Sequence, residues 1–270
     1  MNNQRKRFGM KYCVIWLLAF VMLLSTTVFY TPVMAAAAGD NTIEPSSSAT
    51  LVDSGTHGTC TWEFYSDGTL IVRPTEGTEG VFPELETDSS SDSTGRISPW
   101  NEYCQQIYIA AFRDVIHAEG DQSGLFRECF NMFRVDLSGL DTTEVTSMSQ
   151  MFYDCFKMQE LDFSSFNTGK VTDMSYMFSS CGNNMETLNL ESFDTSNVTN
   201  MSNMFCYCDT KHLNLSSFNT SNVTDMSSMF SGCRELEELD VSHFDTKKVT
   251  NRISSIFSER SFLIPSLIIS

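Results

Sequence analysis

VTDMSSMFSGC, residues 223–233, is the stretch that decides how this chain is read, because it is one copy of a recurring phrase. The others are VTSMSQMFYDC (145–155), VTDMSYMFSSC (171–181) and VTNMSNMFCYC (198–208), with a degenerate VTNRISSIFSE from Val249. Successive starts lie 26, 27, 25 and 26 residues apart. Self-similarity at such a period outranks local signals, since each repeat is one unit that buries its apolar face only against its neighbours. Within the phrase, Met226, Met229, Phe230 and Cys233 stand at i, i+3, i+4 and i+7. That spacing predicts one face of a short helix, with Gly232 as its terminator.

A second phrase lies between the copies: VDLSGLDT, LDFSSFNT, LNLESFDT, LNLSSFNT and LDVSHFDT, starting at 135, 161, 188, 213 and 239. Its alternating apolar residues predict a strand. One strand and two helical turns per unit give an α/β expectation. The units stack as a right-handed, leucine-rich-repeat-like solenoid of about five 25–27-residue coils over residues 121–258. Its strands form one parallel sheet with the helices behind, and GLFREC (124–129) opens the array. Methionine, phenylalanine and cysteine are then its core.

Residues 51–120 read as a β-rich N-terminal region. CTWEFYSDGTLIV (60–72) alternates on both sides of Asp67-Gly68, a hairpin signal. ELETDSSSDSTGR (84–96) reads as a loop, Trp100 as an anchor, and Ile107 and Ile109 as a short strand. Residues 39–50 are a flexible leader and 259–270 an atypical tail where a further repeat is due.

The first 38 residues are read as a signal peptide. Arg5, Lys6, Arg7 and Lys11 precede the apolar run CVIWLLAFVMLL (13–24), and small residues at Ala36 to Ala38 suit cleavage. The alternative is an uncleaved membrane anchor; Cys13, at the start of the run, is badly placed for lipid attachment. The chain carries 17 Lys and Arg against 34 Asp and Glu, a net of −17. Loss of the leader leaves 13 basic residues and a net of about −21. Such a surface repels nucleic acid and anionic lipid and favours basic partners or cations.

The wording of the repeat resembles that of the BspA-like leucine-rich-repeat surface proteins of bacteria. The same repeat occurs in mycoplasma surface lipoproteins under a domain-of-unknown-function label. SGTHGTCTWEFYSDGTLIV (54–72) and SPWNEYCQQIYIAAF (98–112) resemble the segment that precedes such repeats. The resemblance implies an exported, non-enzymatic protein that adheres to a host or bacterial surface protein or glycan, with no catalytic residues to transfer. Two other readings stand beside it. One is a spacer presenting residues 51–120, and the other an enzyme with a site near Trp100 and Cys104.

Candidate ligand-binding residues are Asp136, Asp162, Asn189, Asn214 and Asp240. Each falls between two apolar strand residues and so points away from the core, on the face repeat proteins use for binding. A weak calcium site on that face is a further expectation; no cofactor is. Asp141, Asn167, Asp194, Asn219 and Asp245, each before threonine, are expected to bond backbone at turns. Cys129, Cys155, Cys181, Cys208 and Cys233 hold one position of successive units and are read as a buried thiol ladder. Cys206 is expected at the surface, and Cys60 and Cys104 either pair or stay free. Cys206 and Cys208 lack a companion pair for zinc, and the four histidines are scattered. No nucleophile elbow, zinc-protease helix or phosphate loop is present.

Overall fold

A computed structural model of the chain describes residues 42–87, 96–182 and 185–250, and the backbone of 266–268. The expected signal peptide, most of the 84–96 loop and the tail from 259, apart from that strand, lie outside the described residues. The chain divides into two compact units, Met1–Thr42 and Ile43–Ser270, and everything described after Thr42 belongs to the second.

In chain order the strands are β1 (Leu51–His57), β2 (Cys60–Tyr65), β3 (Thr69–Pro74), β4 (Glu79–Phe82), β5 (Glu86–Thr87), β6 (Arg96–Ile97) and β7 (Ile109–Phe112). They continue with β8 (Val115–Asp121), β9 (Arg134–Asp136), β10 (Leu140–Ser147), β11 (Thr187–Asn189), β12 (His212–Asn214), β13 (Glu238–Asp240) and β14 (Ser266–Ile268). The hairpin expected at Asp67-Gly68 forms between β2 and β3, with Gly68 at φ 82°. A five-stranded sheet in the order β1-β2-β3-β7-β9 carries this hairpin into the first repeat through the parallel pairs β3–β7 and β7–β9. Parallel β4, β8 and β10 form a second sheet, β11 to β14 a parallel third, and β5 and β6 a two-stranded ribbon.

The expected α/β leucine-rich-repeat solenoid is overturned. Among the described residues there is no α-helix, the strands fall into separate small sheets, and the protein is predominantly β. The reason lies in the Met-Phe phrase. Gln150, Asp154, Tyr176, Ser180, Asn203, Tyr207, Ser228 and Gly232 all have φ between 54° and 74°. A left-handed residue at every fourth position ends any right-handed helix. The amides alternate instead. Met151, Tyr153 and Cys155 donate three residues back, to Met148, Gln150 and Phe152. Gln150, Phe152 and Asp154 donate across to Ser175, Met177 and Ser179 of the next repeat, at 2.9 Å each. Two successive β-turn corners thus turn positions i, i+3, i+4 and i+7 inward as a helix would. Gly232 is a corner, not a helix terminator.

The inward residues make one continuous core. Phe152, Phe178, Phe205 and Phe230 stack face to face, with centroids 5.6–6.0 Å apart and planes within 7° of parallel. Met148, Met174, Met201 and Met226 are fully buried around them. A second column is polar. The Thr195 hydroxyl donates to the Asn219 carbonyl (3.0 Å) and accepts from the Asn219 N–H (2.8 Å). Thr142 does the same with Asn167, and Thr220 with Asp245. These threonines are at most 2 % exposed, so each joins two repeats from a buried hydroxyl.

The turn carboxylates and amides behave as expected. Asp141, Asn167, Asp194, Asn219 and Asp245 each accept the N–H two residues on, at 2.9–3.1 Å. Asp173, Asn200 and Asp225 cap a further corner in the same way. The Thr143 hydroxyl, followed by His117, holds Asp141 below the usual carboxylate range, and the Ser196 hydroxyl and N–H do so for Asp194. The Lys247 N–H does it for Asp245. Burial pushes Asp154 and Asp209 the other way.

The signs give a stability profile. Lowered carboxylates stabilise when ionised, and that contribution is lost as pH falls past the ordinary Asp value of 3.8 through their folded values. Raised ones favour folding as they protonate. The urea midpoint is therefore expected to rise slightly as pH falls towards about 4 and to fall below it. A midpoint that keeps rising below pH 4 would contradict these caps.

Candidate functional site

The strand side of the repeats places the five expected ligand residues unequally. Asp136 is half-buried and committed: Arg113 donates to it at 3.1 Å, and the N–H and hydroxyl of Ser138 bond its other oxygen. Asp162, Asn189, Asn214 and Asp240 are exposed. Each uses Oδ1 to accept the N–H two residues on, from Ser164, Glu191, Ser216 and Ser242. The Ser242 N–H holds Asp240 below the usual range. So every member of the ladder caps its own turn. The Ser242 hydroxyl adds a second hydrogen bond to Asp240.

Asp162 and Asn189 line one cavity. Strand pairing is interrupted between their two units: no backbone hydrogen bond joins 160–163 to 186–189 among the described residues. On either side the ladder holds. Arg134 bridges Glu160, and β11 pairs with β12 in register. The connection from Cys181 to Leu188 is one residue longer than that from Cys155 to Leu161 and two longer than that from Cys208 to Leu213. It starts at Gly182 (φ 78°), where a Cβ would sit 2.6 Å from the Met185 methyl. The backbone pairing lapses only locally: the Ser192 hydroxyl donates to the Phe163 carbonyl at 2.8 Å, the contact that Ser217 makes with Leu190 where the strands do pair.

The opening has two halves that meet at Leu161. One, about 320 Å³, lies between Asp162–Ser164 and Asn189–Ser192. The other, about 510 Å³, lies between Gln159–Glu160 and Glu186–Thr187. Glu160, Asp162, Glu186 and Glu191 are all exposed around it. Lys211 stands 2.7 Å from Glu186 and lowers its pKa, His212 lies 3.9 Å from it, and Arg134 is in register beside Glu160. The sequence reading missed Glu160, Glu186 and Glu191. The parity of a strand could have found two of them, since Glu160 lies two residues before Asp162 and Glu191 two after Asn189.

Other candidates are closed. Trp100 and Cys104 are at most 4 % exposed, and the Cys104 thiol approaches the Trp100 carbonyl at 3.9 Å, so neither meets a substrate from solvent. Among the described residues no group of three or more His, Cys, Asp or Glu is placed to hold a metal ion. The eight described cysteines are buried, including Cys206, which was expected at the surface. Burial pushes the Cys60 thiol up to about 11 and Cys208 up to about 12, and raises Cys129, Cys155, Cys181 and Cys233 well above the usual value. Maleimide labelling read by mass spectrometry should leave these eight unmodified in the native protein at pH 8 and modify all of them in guanidinium. Native labelling of the repeat cysteines would contradict the packing.

The model of a family described as "Mycoplasma protein of unknown function, DUF285" matches residues 120–185 and 180–264. No curated protein and no solved structure matches the chain.

Proposed function

Since the chain belongs to the DUF285 family, whose match covers more than half of it, we propose that it is an exported, non-enzymatic surface protein that binds a partner through the strand side of its repeats. The partner is a protein or glycan on a host or bacterial surface. The observation that carries this reading is the recess between Leu161–Phe163 and Thr187–Asn189, where two cavities lie beside exposed carboxylates on the strand side. The basic and apolar start of the sequence supports export, and the likeness of the repeat wording to BspA-like surface proteins supports adhesion.

The test is saturable binding of the purified protein to immobilised extracellular-matrix proteins and to epithelial and bacterial cells. Asp162→Asn should weaken it severalfold, and Asp240→Asn, which lies away from the opening, should not. Both substitutions retain Oδ1, so both keep their turn caps. Absence of binding to every surface, or equal loss in the two variants, would sink the proposal.

A further inference from the structure

We propose that Cys104 and Cys129 join as a disulfide when the chain folds in oxidising surroundings, a redox site that staples the N-terminal region to the start of the repeats. It rests on the export proposed above only for those surroundings.

The buried columns begin before the repeats do. Trp100 packs on Phe126 with centroids 5.7 Å apart, and Phe126 stacks on Phe152 at the same distance. Trp100 therefore stands where a preceding repeat would put its phenylalanine. Cys104 follows it as Cys129, Cys155, Cys181, Cys208 and Cys233 follow theirs, with one difference. Those five lie three residues after their phenylalanine, and Cys104 lies four after Trp100, across the 3₁₀ turn Asn101–Tyr103.

That one residue decides which thiols can join. Repeats in register hold equivalent Cα–Cβ bonds parallel, so their Cβ atoms are about as far apart as neighbouring strands, near 4.8 Å. A disulfide needs about 3.5–4.5 Å. The ladder thiols also have carbonyl partners. Cys155 donates to Phe126 at 3.2 Å and Cys233 to Phe205 at 2.9 Å, each in the preceding unit. The matching carbonyl for Cys129 belongs to Trp100, and the out-of-phase Cys104 thiol already approaches it at 3.9 Å. Cys129 is hydrogen-bonded to the Cys104 thiol instead. Asn131 ties the two segments beside the sulfurs, its Nδ2 donating to the Gln105 carbonyl at 2.7 Å. Cys60, the other expected partner of Cys104, packs against Gly80, where a Cβ would lie 2.8 Å from its sulfur.

The bond closes by exchange with a small disulfide such as oxidised glutathione. The Cys129 thiolate attacks one of its sulfurs and expels a glutathione thiolate. The Cys104 thiolate then attacks the mixed disulfide at Cys129 and expels the second. Two protein thiols are oxidised, one glutathione disulfide is reduced, and the two protons lost by the cysteines pass to the two glutathione thiols. Exchange precedes burial, because burial, and then the bond to Cys104, holds the Cys129 thiol well above its usual value and so protonated. Closing residues 104–129 into a loop removes freedom from the unfolded chain. It also fixes the end of the column, where no preceding repeat covers it.

The test refolds the whole reduced protein from guanidinium in a glutathione buffer, alkylates it and digests it with trypsin without reduction. Cys104 and Cys129 fall in the tryptic peptides 97–113 and 128–134, one cysteine in each. These two peptides are expected to be linked, and the link should outlast about a tenfold excess of reduced glutathione. In guanidinium all eight thiols of the reduced chain then react with maleimide, and in the oxidised chain all but this pair. The oxidised protein should melt about 5–10 °C above the reduced one. In Cys104→Ser and in Cys129→Ser that difference should vanish, and the parent's own peptide map decides if either variant fails to fold. Both peptides alkylated after refolding, or Cys104 linked to Cys60, or Cys129 to Cys155, would overturn the inference. That result would leave the export and binding reading standing, whereas a linked pair in a protein that stays inside its cell would count against export alone.

Discussion

Phe178→Ala is expected to lower the unfolding free energy by about 3–5 kcal/mol, the range for truncating a fully buried aromatic. Phe178 sits between Phe152 and Phe205, with centroids 6.0 and 5.7 Å away, and Phe163 meets its edge at 5.5 Å. Each flanking ring is itself packed against the next, so the hole cannot close by moving one side chain. The repeats share one column, and the loss should appear as a single cooperative transition at lower urea. A loss below about 1 kcal/mol, or a separate early transition confined to one repeat, would show that the column is not continuous. Phe178→Leu should recover part of the loss, since it refills much of the volume.

Thr195→Val is the second large effect, and it isolates polarity from volume. Valine nearly matches threonine in shape, yet it removes the group that both accepts from the Asn219 N–H and donates to its carbonyl. Thr195 is 0 % exposed, so water cannot replace the lost hydroxyl without a rearrangement. Losing both bonds to the Asn219 backbone from a buried hydroxyl is expected to cost about 1–3 kcal/mol. Thr195→Ser keeps the hydroxyl and should lose much less. Equal stability of the valine variant in urea unfolding would mean that the threonine column only fills space.

The sequence makes the period, the inward methionines, phenylalanines and cysteines, and the turn-capping Asp and Asn legible, because all of them follow the repeat. The conformation of the Met-Phe phrase was not legible. Apolar residues at i, i+3, i+4 and i+7 face one side of a helix, and they equally face the inside of two turn corners joined end to end. Left-handed positions usually announce themselves as glycine, but here they hold Gln150, Asp154, Tyr176, Ser180, Asn203, Tyr207 and Ser228, and only Gly232 gives the signal. Of the Asp/Asn ladder, Asp162, Asn189, Asn214 and Asp240 are exposed. Asp162 and Asn189 border the opening, while Asp136 is claimed by Arg113, a partner 23 residues away that no local pattern reveals. The interruption itself was written in the sequence as the single 27-residue interval, whose structural meaning depends on where the extra residue falls.

The claim on which function rests is that the repeats are joined through their turns but lack a backbone ladder on the strand side at one place. Amide hydrogen exchange resolved by residue tests it directly. The N–H groups of Phe152, Phe178 and Phe205, donated across repeats at 2.9–3.0 Å, should exchange only on global unfolding. Those of Thr187 and Asn189, at the edge of β11, should exchange many times faster. Thr187 and Asn189 protected as strongly as Phe178 would mean that the strand ladder is unbroken there.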